Sequence, residues 1–219
     1  MDLSGQFVAF AQLGATWVLW LLIALSVLSI GVMIDRALWF RGREADIDRL
    51  TRELRGAFER GEIDRFVTKY QDDPSVAAQV ALQGLAERDR GPEAVAEAMQ
   101  GARIRWRGAA DKYLIILGTL GNNVPFIGLF GTVLGVINAF ENLRLKTPAA
   151  EDKTLDLIAQ ALAATAFGLL VAIPAVIAFN YFTRRLRSMI GGADETAHTV
   201  LSLVHGTPKT SKESGDGGR

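Results

Sequence analysis

The chain has 219 residues, and its 24 basic and 24 acidic side chains cancel to a formal charge of zero. The cancellation hides a partition: Ala15–Ile34, Leu114–Phe140 and Leu157–Thr183 hold no Asp, Glu, Lys or Arg, so every charge falls on the rest of the chain. Each uncharged run exceeds the roughly 18 apolar residues at which a helix becomes long enough to cross a bilayer, which excludes an ordinary soluble enzyme. With no cysteine there is no disulfide framework, thiolate metal site, Fe–S cluster or Cys nucleophile. His198 and His205 sit in polar surroundings and read as solvated. No metal and no cofactor is expected.

Residues 1–14 carry Asp2 as their one charge and lack the positive n-region of a cleaved signal, so the first span, 15–40, is read as an uncleaved anchor. Trp17 and Trp20 at one end and Trp39 and Phe40 at the other suit the interfacial belts, and Asp35 and Arg36 are expected to reach the headgroups. Residues 41–112 hold 14 Lys and Arg and are read as a cytoplasmic helical domain. Within it Ile47, Leu50, Leu54 and Phe58 have the 3, 4, 4 spacing of an amphipathic helix that Gly61 ends. Ile63, Phe66, Val67 and Tyr70 predict a second helix, and Asp72-Asp73-Pro74-Ser75 a turn into a third over Val76–Arg88. From Gly91-Pro92-Glu93 no strong stop precedes Tyr113, so one long helix is expected to enter the second span. It would bring Arg103, Arg105, Arg107 and Lys112 to the membrane surface, where anionic lipid is the expected partner and nucleic acid is not.

The second span, 113–140, is followed by an outer loop, 141–154, too short for a folded domain. The third span is 155–183, continued by a cytoplasmic helical extension over 184–205. The tail, 206–219, lacks apolar periodicity and is expected to be disordered. With the N-terminus outside, 21 Lys and Arg fall inside and 3 outside, which predicts an outer N-terminus and a cytoplasmic C-terminus. The fold class is an all-α integral membrane protein with three transmembrane helices.

A helix facing only lipid needs no small or polar residues, yet the second span holds Gly118, Gly121, Asn122, Asn123, Pro125, Gly128, Gly131, Thr132, Gly135 and Asn138. Gly131 and Gly135 form a small-xxx-small pair, and Gly128 lies one heptad before Gly135, a strip along which another backbone can approach closely. In the third span Ala161, Thr165, Gly168 and Ala172 make a narrow face, beside which Gln160 and Thr165 offer hydrogen-bonding groups. Pro125 and Pro174 each remove a backbone donor and are candidate helix kinks. A membrane threonine usually bonds back to its own helix. Paired small-residue faces that each carry one hydroxyl, Thr132 and Thr165, would instead line a narrow polar pore once several copies associate. The three runs hold no ionisable group of the kind proton relays use, so a titrating carboxylate is expected from another subunit.

The run from Gly121 to Ile137, GNNVPFIGLFGTVLGVI, and the run from Ile158 to Val176, IAQALAATAFGLLVAIPAV, followed by Asn180, resemble the signatures of the MotA/TolQ/ExbB proton-channel family, most closely its TolQ and ExbB branch. The resemblance implies a bacterial inner-membrane complex in which five copies of this subunit surround two copies of an ExbD/TolR-like partner with one membrane helix bearing an aspartate. Proton flow past that aspartate would turn the core within the ring and so act on the cell envelope, in transport, envelope maintenance or gliding motility. Thr132 and Thr165 match the family's pore-facing threonines. Where the family's third span typically carries Glu, this chain has Gln160, which cannot titrate.

The leading expectation is therefore a stator or channel subunit of a motor driven by the proton-motive force. A self-sufficient homo-oligomeric ion channel and a passive membrane scaffold are the alternatives. An enzyme is not expected: no nucleophile–base pair, phosphate loop or metal-ligand spacing occurs.

Overall fold

A computed structural model describes residues 16–144 and 147–206, and the expectations for residues 1–14 and for the tail beyond Gly206 lie outside that range. All regular structure among the described residues is helical. In chain order the helices are α1 (Thr16–Phe40), α2 (Ile47–Arg60), α3 (Ile63–Tyr70), α4 (Val76–Ala86), a 3₁₀ turn (Arg88–Arg90), α5 (Pro92–Asp111), α6 (Leu114–Leu143) and α7 (Pro148–Gly206). The described residues of the three uncharged runs fall in α1, α6 and α7, which are long and apolar enough to cross a membrane. The described chain divides into two compact units, 16–39 with 111–184 and 40–110 with 185–206.

In the apolar unit α6 buries Leu114, Leu117, Gly121, Val124, Gly128, Gly131 and Gly135, whose spacing alternates between three and four and so forms one helical stripe. Val18 and Leu22 of α1, Leu120, Val124 and Leu134 of α6, and Val171, Ala172 and Ala175 of α7 make the core. α1 runs antiparallel to α6: the Trp17 ring meets Phe130 edge-on at 6.2 Å, while Arg36 near the other end of α1 lies 5.4 Å from the Tyr113 ring. Trp20, Ile23, Val27, Ile30 and Ile34 are exposed on α1, as a lipid-facing surface requires.

Two expectations are corrected in this unit. The helix foreseen from Gly91 into the second span is broken, because Tyr113 is in the left-handed region with φ 66° and α6 restarts at Leu114. In the segment 141–154 between the second and third spans, helix is also found at both ends. α6 continues to Leu143, and α7 begins at Pro148 with the Thr147 hydroxyl accepting from the Ala150 amide at 3.2 Å. A threonine N-cap followed by proline in the first helical position is a strong helix start. The Asn142 side chain then staples the two helix ends, donating to the Ala150 carbonyl at 2.6 Å and to the Thr154 hydroxyl at 3.1 Å.

The charged unit is built around α4, which is buried on nearly every side through Val76, Ala77, Ala78, Val80, Ala81, Gly84 and Leu85. α2 starts where Asp46 accepts from the Arg49 amide at 3.0 Å and ends at Gly61, whose φ of 68° favours glycine. It buries Leu50, Leu54 and Ala57, with Ile47 and Phe58 half-buried. α4 stops at Ala86 rather than Arg88, the chain tightening into the 3₁₀ turn through the Glu87 amide, which donates to the Gly84 carbonyl at 3.0 Å. Glu53 collects three donors: Lys69 Nζ, Tyr70 Oη at 2.9 Å and Arg49 Nε at 3.1 Å. The Lys69 bond is the main cause that holds the Glu53 carboxyl down at about 2. Burial, and then the bond to Glu53, push the Tyr70 phenol up to about 12. Arg185 Nε donates to Glu44 at 2.6 Å, and Arg103 pairs with Asp194. Arg103 is thus engaged by a carboxylate of its own chain.

Candidate functional site

The closest helix contact in the apolar unit is the seam between α6 and α7. A methyl group placed on Gly128 would lie 2.8 Å from the Ala164 carbonyl oxygen and 3.1 Å from the Thr165 Cα. One placed on Gly168 would lie 3.1 Å from both the Gly128 Cα and the Val124 carbonyl oxygen. No side chain intervenes at this crossing, so the two backbones touch. Three residues on, a methyl on Gly131 would lie 2.8 Å from Ala164 Cβ and 3.1 Å from Val18 Cγ1 of α1, and one on Gly135 would lie 2.5 Å from Ala161 Cβ. Gly128, Gly131, Gly135, Ala161 and Gly168 therefore share one seam, and Ala172 is buried in the adjoining core beside Val124. In a membrane, where lipid tails are as apolar as any side chain, such close packing is a main source of helix association.

The two threonines singled out in the sequence have different surroundings. Thr132 Oγ1 donates to the Leu129 carbonyl at 2.7 Å, the local back-bond that satisfies a hydroxyl inside a helix. Thr165 Oγ1 is buried and has no hydrogen-bond partner among the described residues, although its backbone lies against Gly128 where the two helix backbones meet. An unmet buried hydroxyl loses its hydration without replacement, a loss of about 1–3 kcal/mol unless water or another chain completes it. Gln160 is half-buried, and its Nε2 donates to the Thr16 hydroxyl of α1 at 3.3 Å. Pro125 and Pro174 lie inside helices whose bounds run past both of them.

Other polar residues emerge only in three dimensions. Ser29 is buried in α1, its Oγ without a partner among the described residues. Arg36, expected at the headgroups, is instead buried at 3% exposure, the one charged residue so placed among the described residues. It pairs with Asp35 at 2.6 Å and lies 5.5 Å from the Trp39 ring and 5.4 Å from the Tyr113 ring. The aromatic neighbour at 113 is distant in sequence, and no local pattern announces it. Among the described residues no group of three His, Cys, Asp or Glu side chains is placed to hold a metal ion.

Three long apolar helices joined by a glycine seam define a polytopic helical membrane protein whose spans are built for backbone-close packing. Residues 68–194 match the model of the MotA/TolQ/ExbB proton channel family. The chain is 32% identical to the Tol-Pal system protein TolQ of Pseudomonas aeruginosa over 203 residues, covering 88% of each chain. It is 36% identical to the biopolymer transport protein ExbB of Xanthomonas campestris pv. campestris over 123 residues, which is 56% of this chain and 49% of that protein. With the ExbB of Salmonella typhimurium it shares 39% identity over 105 residues, 45% of this chain and 39% of that protein. The chain belongs to the MotA/TolQ/ExbB proton channel family. It thus spans most of the length of the TolQ relative and less than half of these two ExbB proteins.

Proposed function

We propose that this protein is the ring-forming channel subunit of a bacterial inner-membrane motor driven by the proton-motive force, working with an ExbD/TolR-like partner that has one membrane helix. Five copies of the chain would enclose two copies of the partner. The N-terminus would be periplasmic, and both the C-terminus and the domain at 41–112 cytoplasmic. The relatives' names, Tol-Pal system protein and biopolymer transport protein, point to work on the cell envelope.

The observation that carries this reading is the Thr165 hydroxyl, buried at the seam without a partner among the described residues. The uncharged runs of spans two and three, Leu114–Phe140 and Leu157–Thr183, supply no carboxylate. They can bind and hydrate a proton-carrying group but cannot take up the proton, so the acid must be brought by another subunit. Thr165 and Thr132 would face that group, Thr132 by giving up its bond to Leu129. Gln160, bound to Thr16, would serve as a neutral hydrogen-bonding group on the same path and not as a relay.

The test is proton flux in liposomes holding the complex purified with its partner. Thr165→Val keeps the shape and removes the hydroxyl, and is expected to leave the mass of the assembled complex unchanged while lowering flux at least tenfold. Thr165→Ser should retain flux. Wild-type flux from Thr165→Val would sink the assignment of Thr165. Full flux from the chain without any partner would replace the proposed motor by a self-sufficient channel.

A further inference from the structure

Near its Arg36 end, α1 holds the first turn of α6 by an unusual contact. The Arg36 guanidinium is buried between two rings, 5.5 Å from Trp39 on its own helix and 5.4 Å from Tyr113 at the start of α6, while its Nη2 and Nε donate to Asp35 at 2.6 and 2.9 Å. Tyr113 is the one residue other than glycine with a positive φ among the described residues. A tyrosine resists the left-handed region because its Cβ crowds the backbone, and it persists there only when its surroundings hold it. Directly after it, Leu114 is wholly buried and the Ile116 amide donates to the Tyr113 carbonyl at 3.1 Å, which closes the first turn of α6. Toward its N-terminal end α1 is already tied to α6 by Trp17 on Phe130 and by Val18 against Gly131. Arg36 is the second tie.

We infer that Arg36 is a positioning residue: by clasping the Tyr113 ring it holds the left-handed backbone at 113, fixes where α6 begins, and so sets α6 in place for its seam with α7. A buried arginine suits this task because its planar guanidinium lies against aromatic faces while two of its nitrogens, Nε and Nη2, hold one carboxylate oxygen, Asp35 Oδ2, a combination lysine lacks. The consequence for proton flow rests on the proposed role of Thr165. The clasp itself does not.

The experiment measures hydrogen exchange of the Ile116 amide segment and proton flux on the same partner-bound complex. Arg36→Gln should raise exchange over residues 112–117 at least tenfold and lower flux at least fivefold, with Arg36→Lys in between. Lys112 Nζ also lies over the Tyr113 ring, at 4.7 Å, and serves as the control. Lys112→Gln should change exchange less than twofold. Tyr113→Gly adopts the left-handed backbone without help, so adding Arg36→Gln to it should change exchange less than twofold further. If Arg36→Gln fails to accumulate, the double variant with Tyr113→Gly should restore accumulation. Unchanged exchange in Arg36→Gln, an equal effect in the Tyr113→Gly background, or no restoration would each overturn the clasp. Should Thr165→Val conduct normally while the exchange coupling holds, the proposed pore falls and the clasp stands.

Discussion

In the apolar unit the contact at Gly128 is backbone against backbone, Gly128 on Gly168, with no side chain able to move aside. In the charged unit the corresponding glycine, Gly84, faces side chains: a methyl there would lie 2.5 Å from Met99 Cγ and 3.2 Å from Val95 Cγ1. The first contact is made by what is missing and the second by what can adapt. A methionine has three rotatable bonds and yields to an added carbon, whereas a helix backbone can yield only by moving the whole helix. The units differ in their polar groups too. The charged unit meets Glu53 with Lys69 and Glu44 with Arg185, while in the apolar unit the Thr165 hydroxyl has no partner among the described residues.

The largest effect should come from the seam. Gly128→Leu is expected to destabilise the apolar unit by about 3 kcal/mol or more, seen as a lowered midpoint in detergent denaturation and loss of the assembled complex. Gly31→Leu is the matched control: it lies on α1, where a methyl meets nothing within 4 Å, and should leave the midpoint unchanged. Equal effects at both positions would mean that the seam is not the contact holding α6 to α7.

The seam residues could be read in advance because glycine at helical spacing in an apolar run has few other uses, and the buried stripe of α6 repeats that spacing in space. The amphipathic α2, its Asp46 cap and its stop at Gly61 were equally accessible, since each is a local effect. The start of α7 was legible too: Thr147, Pro148 and Glu151 form a cap, a first helical position and an acidic first turn within five residues. Tyr113 was not legible, because the residues that hold it come from α1 and no rule of spacing places a tyrosine in the left-handed region. The contrast between Thr132 and Thr165 was hidden for a similar reason. A back-bond to the preceding turn is available to both, and only packing decides which takes it.

The second effect in size probes the adaptable unit through its charges. The Glu53 carboxyl is depressed from 4.5 to about 2 in the folded protein, so its contribution is complete above about pH 4.5 and is lost as pH falls towards 2. The cluster is partly exposed, which limits that contribution to about 1 kcal/mol. Hydrogen exchange in α2 and α3 of the full-length protein should accelerate between pH 4.5 and 2 beyond the intrinsic chemistry, and Glu53→Gln should abolish the excess. Tyr70 gives the opposite slope. With its phenol raised from 10.0 to about 12, its contribution is complete below pH 10 and is lost as pH climbs towards 12. Tyr70→Phe should flatten that limb.

Gly84→Ala should stay within about 1 kcal/mol of wild type, because the gain in helix propensity offsets the displacement of Met99. The same substitution at Gly128 should cost clearly more, and the difference between the two measures how far a backbone contact is stiffer than a methionine contact. If both alanines cost alike, the contrast between the units disappears.

The smallest effect is expected at the Arg185–Glu44 pair, where α7 meets the segment before α2. The distance is short, 2.6 Å, but the side chains are 27% and 43% exposed. Water screens such a pair and the two long side chains lose rotamer freedom in forming it, so Glu44→Gln should cost about 0.5 kcal/mol at low salt and less at 1 M salt. Arg185 also has its guanidinium 6.0 Å from the Phe40 ring, a contact that does not depend on Glu44. Removing the carboxylate should therefore leave the arginine in place on the ring, whereas Arg185→Ala removes both contacts and should cost more than Glu44→Gln at every salt concentration. A salt-independent Glu44→Gln effect as large as that of Gly128→Leu would show that the charged unit, too, is held by a contact that cannot adapt.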